Sequence, residues 1–202
     1  MKKIIIMISD RGSNMLAIAE NVKTGNLIDV CKITYVFSNN LEAVGLQKAA
    51  ELGIPTNAIT SKGKKKKNYN AKLLSWLRRE NPDFIILAGY MKILSPEIIR
   101  EFHKRIINIH PADTSLHQGL HGYDWAWENK LQDTKITVHY VDEGLDTGKV
   151  IGKKVVNISD CKTIEEVEQV GLKIEHKFYS ECIFKILTAK DGKAQRINTN
   201  IE

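Results

Sequence analysis

Two polar residues, Asn108 and His110, punctuate the otherwise apolar stretch Ile106-Ile107-Asn108-Ile109-His110. Side chains two apart in a strand point the same way, so the Asn108 amide and the His110 imidazole are expected to project into one space. An amide donor beside a proton-carrying imidazole suits a developing oxyanion, and the imidazole can also pass a proton to a departing amine. An Asn-x-His pair equally occurs in strands that do no chemistry. A third candidate is Asp146, in the tight segment Leu145-Asp146-Thr147-Gly148. A carboxylate near His110 would favour the imidazolium and raise its pKa, and could orient a water or relay a proton. Turn aspartates are common for local reasons, however, and spacing alone does not bring Asp146 to His110. A fourth feature is Ser9-Asp10-Arg11-Gly12-Ser13-Asn14, where a Gly turn joins a strand to a helix. Exposed N–H groups at such a helix start can hold a phosphate. It is neither GxGxxG nor a P-loop, lacking the glycine spacing of the one and the Gly-Lys-Thr of the other, and a plain capped turn fits it as well.

The elements that must position these residues alternate between strand and helix. Lys3 to Ser9 is a continuous apolar strand, and Asn14 to Thr24 has Met15, Ile18, Ala19 and Val22 on one helical face. Ile33 to Ser38 is a second strand, followed by a helix over Ala43 to Leu52 that Gly53 ends. Pro55 to Ile59 is a short strand, and Lys67 to Glu80 a helix with Leu73, Leu74, Trp76 and Leu77 for packing. Asp83 to Ala88 reads as a strand buried on both faces. Ser95 and Pro96 start a helix as N-cap and first helical residue, and Arg105 to Ile109 is another strand. Such βα repeats predict a parallel sheet with ligands beyond the C-terminal strand ends. Ser9 to Asn14, Gly89 to Leu94, and Asn108 with His110 all fall at those ends.

The character changes after His110. Pro111 to Gly122 is a loop with two further histidines, and a helix is expected around Tyr123 to Asn129. Lys135 to Val141 alternates as a half-exposed strand does, Gly144 to Gly148 is a turn, and Val150 to Val156 is a last strand. Thr163 to Thr188 is a long helix, and the tail Asn198 to Glu202 is expected to fray. The fold class is therefore α/β: a Rossmann-like, mostly parallel sheet with flanking helices and a C-terminal β-β-α extension, in one domain over 1–202.

Composition narrows the function classes. No apolar run approaches the roughly 18 residues that span a bilayer. The N-terminal apolar stretch is only Ile4 to Ile8, too short for a secretory signal, so a cytoplasmic protein without a membrane partner is expected. Cys31, Cys161 and Cys182 form no CxxC pair and are odd in number, which speaks against a disulfide framework or a metal site. They read as free thiols in or near the core. Much of the net charge of +6 comes from Lys62 and Lys64 to Lys67. No aromatic residues interleave with that run as a single-strand binder would need, so a solvated loop is expected and no nucleic-acid partner.

In order and spacing, these segments resemble the glycinamide ribonucleotide formyltransferases of purine synthesis, from Ile4 to about Leu187. The resemblance rests on Gly12-Ser13-Asn14, Val36-Phe37-Ser38-Asn39, Ala88 to Ser95, Asn108-Ile109-His110-Pro111, Gly119-Leu120-His121, Thr137-Val138-His139 and Leu145-Asp146-Thr147-Gly148. It implies that Asn108, His110 and Asp146 are catalytic, that Gly12, Ser13 and Asn14 cradle the ribonucleotide phosphate, and that Glu175 contacts the ribonucleotide. It implies a folate site formed by Lys66, Met91, Lys92, Ile93, Leu94, Asn108 and Val141. The implied halves are a nucleotide-binding half over about 1–105 and a catalytic and folate-binding half over about 106–190. The implied reaction passes the formyl group of 10-formyltetrahydrofolate, a co-substrate, to the glycine amine, with protonated His110 and no metal. The partners are small molecules, and the chain is expected to be a monomer or homodimer.

Three segments depart from the family pattern. Asp10 follows Ser9 where Ser-Gly is usual. The loop after His110-Pro111 runs Ala112-Asp113-Thr114-Ser115-Leu116-His117-Gln118, where Ser-Leu-Leu-Pro and a basic-aromatic stretch are usual. The turn Asp146-Thr147-Gly148-Lys149 replaces Asp-Gly-Gly-Pro. Loop rigidity and the fit of the acceptor are the properties these changes touch. The three tryptophans, Trp76, Trp125 and Trp127, are expected to pack. A methionyl-tRNA formyltransferase would carry an additional C-terminal domain and a formyltetrahydrofolate hydrolase an N-terminal one, for which 202 residues leave no expected space. A formyltransferase for another amine, such as an amino sugar nucleotide, and a non-catalytic folate or nucleotide binder remain as alternatives.

Overall fold

The structure is a computed structural model that describes residues 1–60, 62–63 and 65–189, so Lys64 and the expected frayed tail lie outside the described residues. The elements are β1 (Lys2–Ile8), α1 (Ser13–Thr24), β2 (Cys31–Ser38), α2 (Val44–Glu51), β3 (Thr56–Ala58), α3 (Lys66–Glu80), β4 (Phe84–Leu87), α4 (Pro96–Glu101), β5 (Ile106–His110), α5 (Gly122–Glu128), β6 (Asp133–Tyr140), β7 (Val150–Asn157) and α6 (Ile164–Thr188). The hydrogen-bonded strand order is β3-β2-β1-β4-β5-β6-β7. The chain forms two compact units, the first Met1–Ile107 and the second beginning at Asn108.

In the first unit β1 pairs in parallel with β2 and β4, and β2 with β3. A parallel strand covered on both faces needs a continuous apolar run, which Ile4-Ile5-Ile6-Met7-Ile8 supplies, every residue fully buried. Helix α1 buries Met15, Ile18 and Ala19, and α3 buries Tyr69, Leu73, Trp76 and Leu77. Trp76 stacks on Phe37 at 5.0 Å and meets Tyr35 edge-on at 5.5 Å. Ser95 precedes α4 at the N-cap position with Pro96 following, but its side chain does not cap the helix backbone. The expected packing role also fails for Trp127, which is 37% exposed on a short helix.

In the second unit β6 and β7 pair antiparallel and α6 follows, which is the β-β-α extension expected. Strand β6 is not half-exposed: Ile136 to His139 are all buried. Its polar residues tolerate this because they find partners. Thr137 Oγ1 donates to the Ala112 carbonyl at 2.7 Å, and His139 Nδ1 donates to the Tyr140 carbonyl at 2.8 Å. Helix α6 starts where Thr163 Oγ1 accepts the Glu166 N–H, while the Glu166 carboxylate reaches back to the Lys162 N–H at 2.6 Å. Mid-helix Gly171 is required by contact: a Cβ there would lie 2.2 Å from the Tyr123 ring and hydroxyl.

Cys31 and Cys182 are buried, and burial pushes their thiols up to about 11 and about 12, so both are protonated and inert at neutral pH. Cys161 is half-exposed. Among the described residues no helix is long and apolar enough to cross a membrane.

Candidate active site

The second unit brings Asn108, His110 and Asp146 together. The alternation of β5 sends the Asn108 and His110 side chains the same way, and both meet Asp146. Asn108 Nδ2 lies 3.3 Å from Asp146 Oδ1, and His110 Nδ1 lies 3.6 Å from Oδ2. His110 Nε2 donates to the His117 carbonyl at 3.1 Å, which sets a hydrogen on Nε2 and turns Nδ1 towards the carboxylate. The Gly119 N–H donates to Asp146 Oδ2 at 2.9 Å.

A second histidine completes the cluster. His139 Nε2 is 3.3 Å from Asn108 Nδ2 and 3.4 Å from Asp146 Oδ1. Its Nδ1 is committed to donating to a carbonyl, so a neutral ring accepts from Asn108 at Nε2, while an imidazolium donates towards Asp146. Asp146 thus lies between two buried imidazoles.

Burial pushes the His110 imidazole below its usual value. Asp146 and the His117 carbonyl pull it up, the His139 and His117 rings push it down further, and burial prevails. The upward pull expected from Asp146 is present but outweighed, because His110 is only 4% exposed. Burial alone would raise Asp146. His139, the Gly119 N–H and His110 more than offset it and hold the carboxyl below the usual range. The site therefore pairs an ionised carboxylate with an imidazole that is mostly neutral and can accept a proton at Nδ1. Once protonated there, the ring is an acid stabilised by Asp146.

The loop carrying Asp146 is fixed by its own side chains. Asp142 Oδ1 accepts the Gly144 N–H at 3.1 Å and the Thr147 hydroxyl at 2.7 Å. Gly148 passes so near β6 that a Cβ would lie 1.7 Å from the Tyr140 carbonyl. Asp146 itself adopts φ 53°, a left-handed conformation that Asp tolerates better than most residues. Val141 leads from β6 into this loop and is half-buried.

The remaining expected site residues divide between the two units. In the first, Gly12 takes φ 69° at the N-cap of α1, and Ser13 and Asn14 open the helix. The Asp10 carbonyl accepts the Gly45 N–H at 2.9 Å, so α2 pins this loop through the main chain while the Asp10 residue stays exposed. Ser9 ties three strand ends together: its Oγ donates to Asn39 Oδ1 at 2.6 Å and accepts the Met91 N–H at 2.8 Å. Met91 and Ile93 are 60% and 66% exposed, Lys92 is exposed, and Leu94 is buried. The neighbouring Tyr90 is anchored by a buried 2.5 Å hydroxyl contact with Tyr69 of α3. Lys66 begins α3 and lines a cavity of about 430 Å³ with Lys67, Asn70, Ser95 and Glu97. In the second unit, Glu175 of α6 is buried and accepts the Tyr123 hydroxyl at 2.6 Å.

Known proteins resemble this chain. The formyl transferase family matches residues 2–183. The chain belongs to that family. It is 32% identical to the phosphoribosylglycinamide formyltransferase of Bacillus subtilis over 188 residues, covering 93% of this chain and 95% of that one. It is 37% identical to the trifunctional purine biosynthetic protein adenosine-3 of Drosophila pseudoobscura over 158 residues, 78% of this chain but only 12% of that longer protein. A crystal structure of phosphoribosylglycinamide formyltransferase from Streptococcus pneumoniae superposes with a TM-score of 0.85 at 34% identity, covering 93% of this chain and 100% of that one.

Within this formyl transferase, sequence reasoning assigned no role to His139, His117, Ser9 or Asp113. His139 was visible only as part of Thr137-Val138-His139, and its position two residues from Thr137 on β6 was the available signal. Ser9 and Asp113 act through contacts far apart in sequence, which no local pattern announces.

Proposed function

We propose that this chain transfers the formyl group of 10-formyltetrahydrofolate to the amine of glycinamide ribonucleotide, the formylation step that purine (IMP) synthesis requires. The observation that carries the reading is the meeting of half-buried Asn108 and Asp146 with buried His110, in a chain that matches a curated phosphoribosylglycinamide formyltransferase along nearly its whole length. The reduced folate supplies the formyl carbon. Exposed Met91 and Ile93, beside a main chain held by Ser9, suit the flat, amphipathic rings of such a molecule. Gly12, Ser13 and Asn14 suit the phosphate of the acceptor, at the start of a 12-residue helix. Lys66, Lys92, Leu94, Val141 and Glu175 complete the proposed binding set.

In this reading the free amine attacks the formyl carbon, and the carbonyl oxygen becomes an alkoxide. Asn108 offers its amide hydrogen to that oxygen. Neutral His110 takes the proton released by the amine at Nδ1, and Asp146 stabilises the resulting imidazolium. The protonated ring returns the proton to the leaving folate nitrogen as the carbon–nitrogen bond to the folate breaks. Bond to acceptor nitrogen formed, bond to folate nitrogen broken and one proton moved, the step balances without a covalent enzyme intermediate. The test mixes protein, glycinamide ribonucleotide and a 10-formyl folate and follows the deformylated folate by absorbance. Absence of acceptor-dependent turnover sinks the assignment, and turnover only with an amino sugar nucleotide moves it to another amine.

A further inference from the structure

The loop after His110 lacks the second proline of related loops, yet two of its main-chain groups hold the cluster. The His117 carbonyl accepts from His110 Nε2, and the Gly119 N–H donates to Asp146. Something must set where those groups lie. The face of the β6–β7 hairpin that bears Lys135, Thr137 and Lys153 does so, since Lys135 and Thr137 are two apart on β6 and Thr137 is paired with Lys153 of β7. Thr137 holds the Ala112 carbonyl. Lys135 Nζ reaches Asp113 Oδ2 at 3.0 Å, and Lys153 Nζ contacts Asp113 Oδ1.

Asp113 is 6% exposed, an expensive position for a carboxylate unless it is fully partnered. Besides the two ammonium groups, Oδ1 accepts the Ser115 hydroxyl at 2.6 Å and the Ser115 N–H at 3.1 Å. These contacts outweigh burial and hold the carboxyl far below the usual range. The Asp113 carbonyl then accepts the Leu116 N–H at 2.8 Å and the His117 N–H at 2.9 Å, closing one turn of chain. At the far end of the turn the His117 ring stacks on Trp125 at 5.1 Å, and its Nε2 donates to the Leu120 carbonyl at 2.9 Å.

We propose that Asp113 is a positioning residue for the reaction: anchored by Lys135 and Lys153, it fixes the turn whose His117 carbonyl and Gly119 N–H orient His110 and Asp146. The rate readout rests on the formyl-transfer reading, but the titration readout does not. The titratable groups facing His110 are Asp146 from the loop after β6, His139 from β6 and His117 from the loop after β5. Burial by this loop lowers the His110 pKa and the His117 carbonyl raises it, so loosening the turn changes both and displaces the titration.

The test is Asp113→Asn, which keeps shape and removes charge. The His110 titration, followed by NMR of the substrate-free protein, should be displaced from its original midpoint. With substrates, kcat should fall by about 10- to 100-fold, the scale of a misplaced catalytic group. The KM for the folate should stay within about twofold of its original value, and the acid limb of the rate profile should follow the NMR shift. A folded Asp113→Asn protein with unmoved titration and unchanged kcat overturns the proposal. Should that variant not fold, Lys135→Gln removes one anchor and leaves the Lys153 contact. The same shift, smaller, is expected there, and an unmoved His110 titration in it equally overturns the proposal. Absent turnover in the unmodified protein, by contrast, counts against the formyl-transfer reading alone.

Discussion

Replacing Asp146 by Asn tests whether the carboxylate charge, rather than its shape, makes His110 an effective proton carrier. The carboxylate oxygen is 3.6 Å from His110 Nδ1, and the two side chains are only 11% and 5% exposed, so solvent screens the pair little. At an effective dielectric of ~20 and this separation, a unit ion pair is worth about 4–5 kcal/mol. The carboxamide keeps a dipole and an oxygen that can still accept the Gly119 N–H, so we take about half of that as lost. A loss of about 2–3 kcal/mol lowers the His110 pKa by about two units and slows proton transfer by about 10²-fold. The assay is kcat/KM against pH for glycinamide ribonucleotide with a 10-formyl folate. A circular-dichroism melt checks that the variant is folded. The expected result is a drop of about 10²-fold near neutrality with the acid limb displaced to lower pH. A folded variant within about threefold of the original rate and with an unmoved limb refutes the reasoning, because the charge would then do nothing that an amide cannot.

Three further outcomes are expected. His110→Ala should abolish formyl transfer while reduced-folate binding, measured by fluorescence titration, stays largely intact; a near-normal rate removes His110 from the mechanism. Burial holds His110 and His176 below the ordinary histidine value, so the unfolded chain takes up those protons first, and stability declines as pH falls through about 6.5. Asp113 and Asp146 are held low by their partners against burial, and their contribution, present above about 4, is lost below it. Urea midpoints should therefore fall in two stages between pH 8 and 3, and a flat midpoint from pH 8 to 5 contradicts the histidine part. Gly171→Ala would set a methyl 2.2 Å from the Tyr123 ring and strain its hydrogen bond to Glu175, lowering stability by about 1–3 kcal/mol; an unchanged urea midpoint contradicts the packing.

What the sequence makes legible depends on the range of the interaction. The run Ile4 to Ile8, the Thr163 cap of α6 and the Pro96 start of α4 are each encoded within a few residues, and the structure has elements at those positions. The coincidence of Asn108 and His110 was legible for the same reason, strand alternation. Strand β6 misled because its alternating polar residues look solvated, whereas Thr137 and His139 are buried with carbonyl partners, one from Ala112 in the loop after β5 and one from the neighbouring Tyr140. Trp125 and Trp127 illustrate the same limit: one stacks on a loop histidine and the other stays at the surface, a difference that identity and spacing do not encode. The direction in which His110 is displaced was also hidden, because burial, which decides it, is a property of the folded chain.

The turn at Asp146 shows why a departure from a family pattern need not disturb the chemistry it carries. Thr147 stands where a glycine is usual, and a side chain there has to go somewhere. It fills the space over Gly144, where a Cβ would come within 2.0 Å of the Thr147 hydroxyl, and it donates to Asp142 Oδ1 at 2.7 Å. The same Asp142 oxygen accepts the Gly144 N–H, so the added hydroxyl joins an existing knot. That knot has work to do, because Asp146 sits at φ 53° and a non-glycine residue keeps such a conformation only when its surroundings over-determine it. Asp142, Thr147, the close approach of Gly148 to Tyr140, and the Gly119 N–H on the carboxylate together supply that determination. The aim of the Asp146 carboxylate is therefore specified by residues that never meet the reacting atoms. The same logic reaches Asp113 on the other side of the cluster, where a turn lacking its usual proline is held by charge.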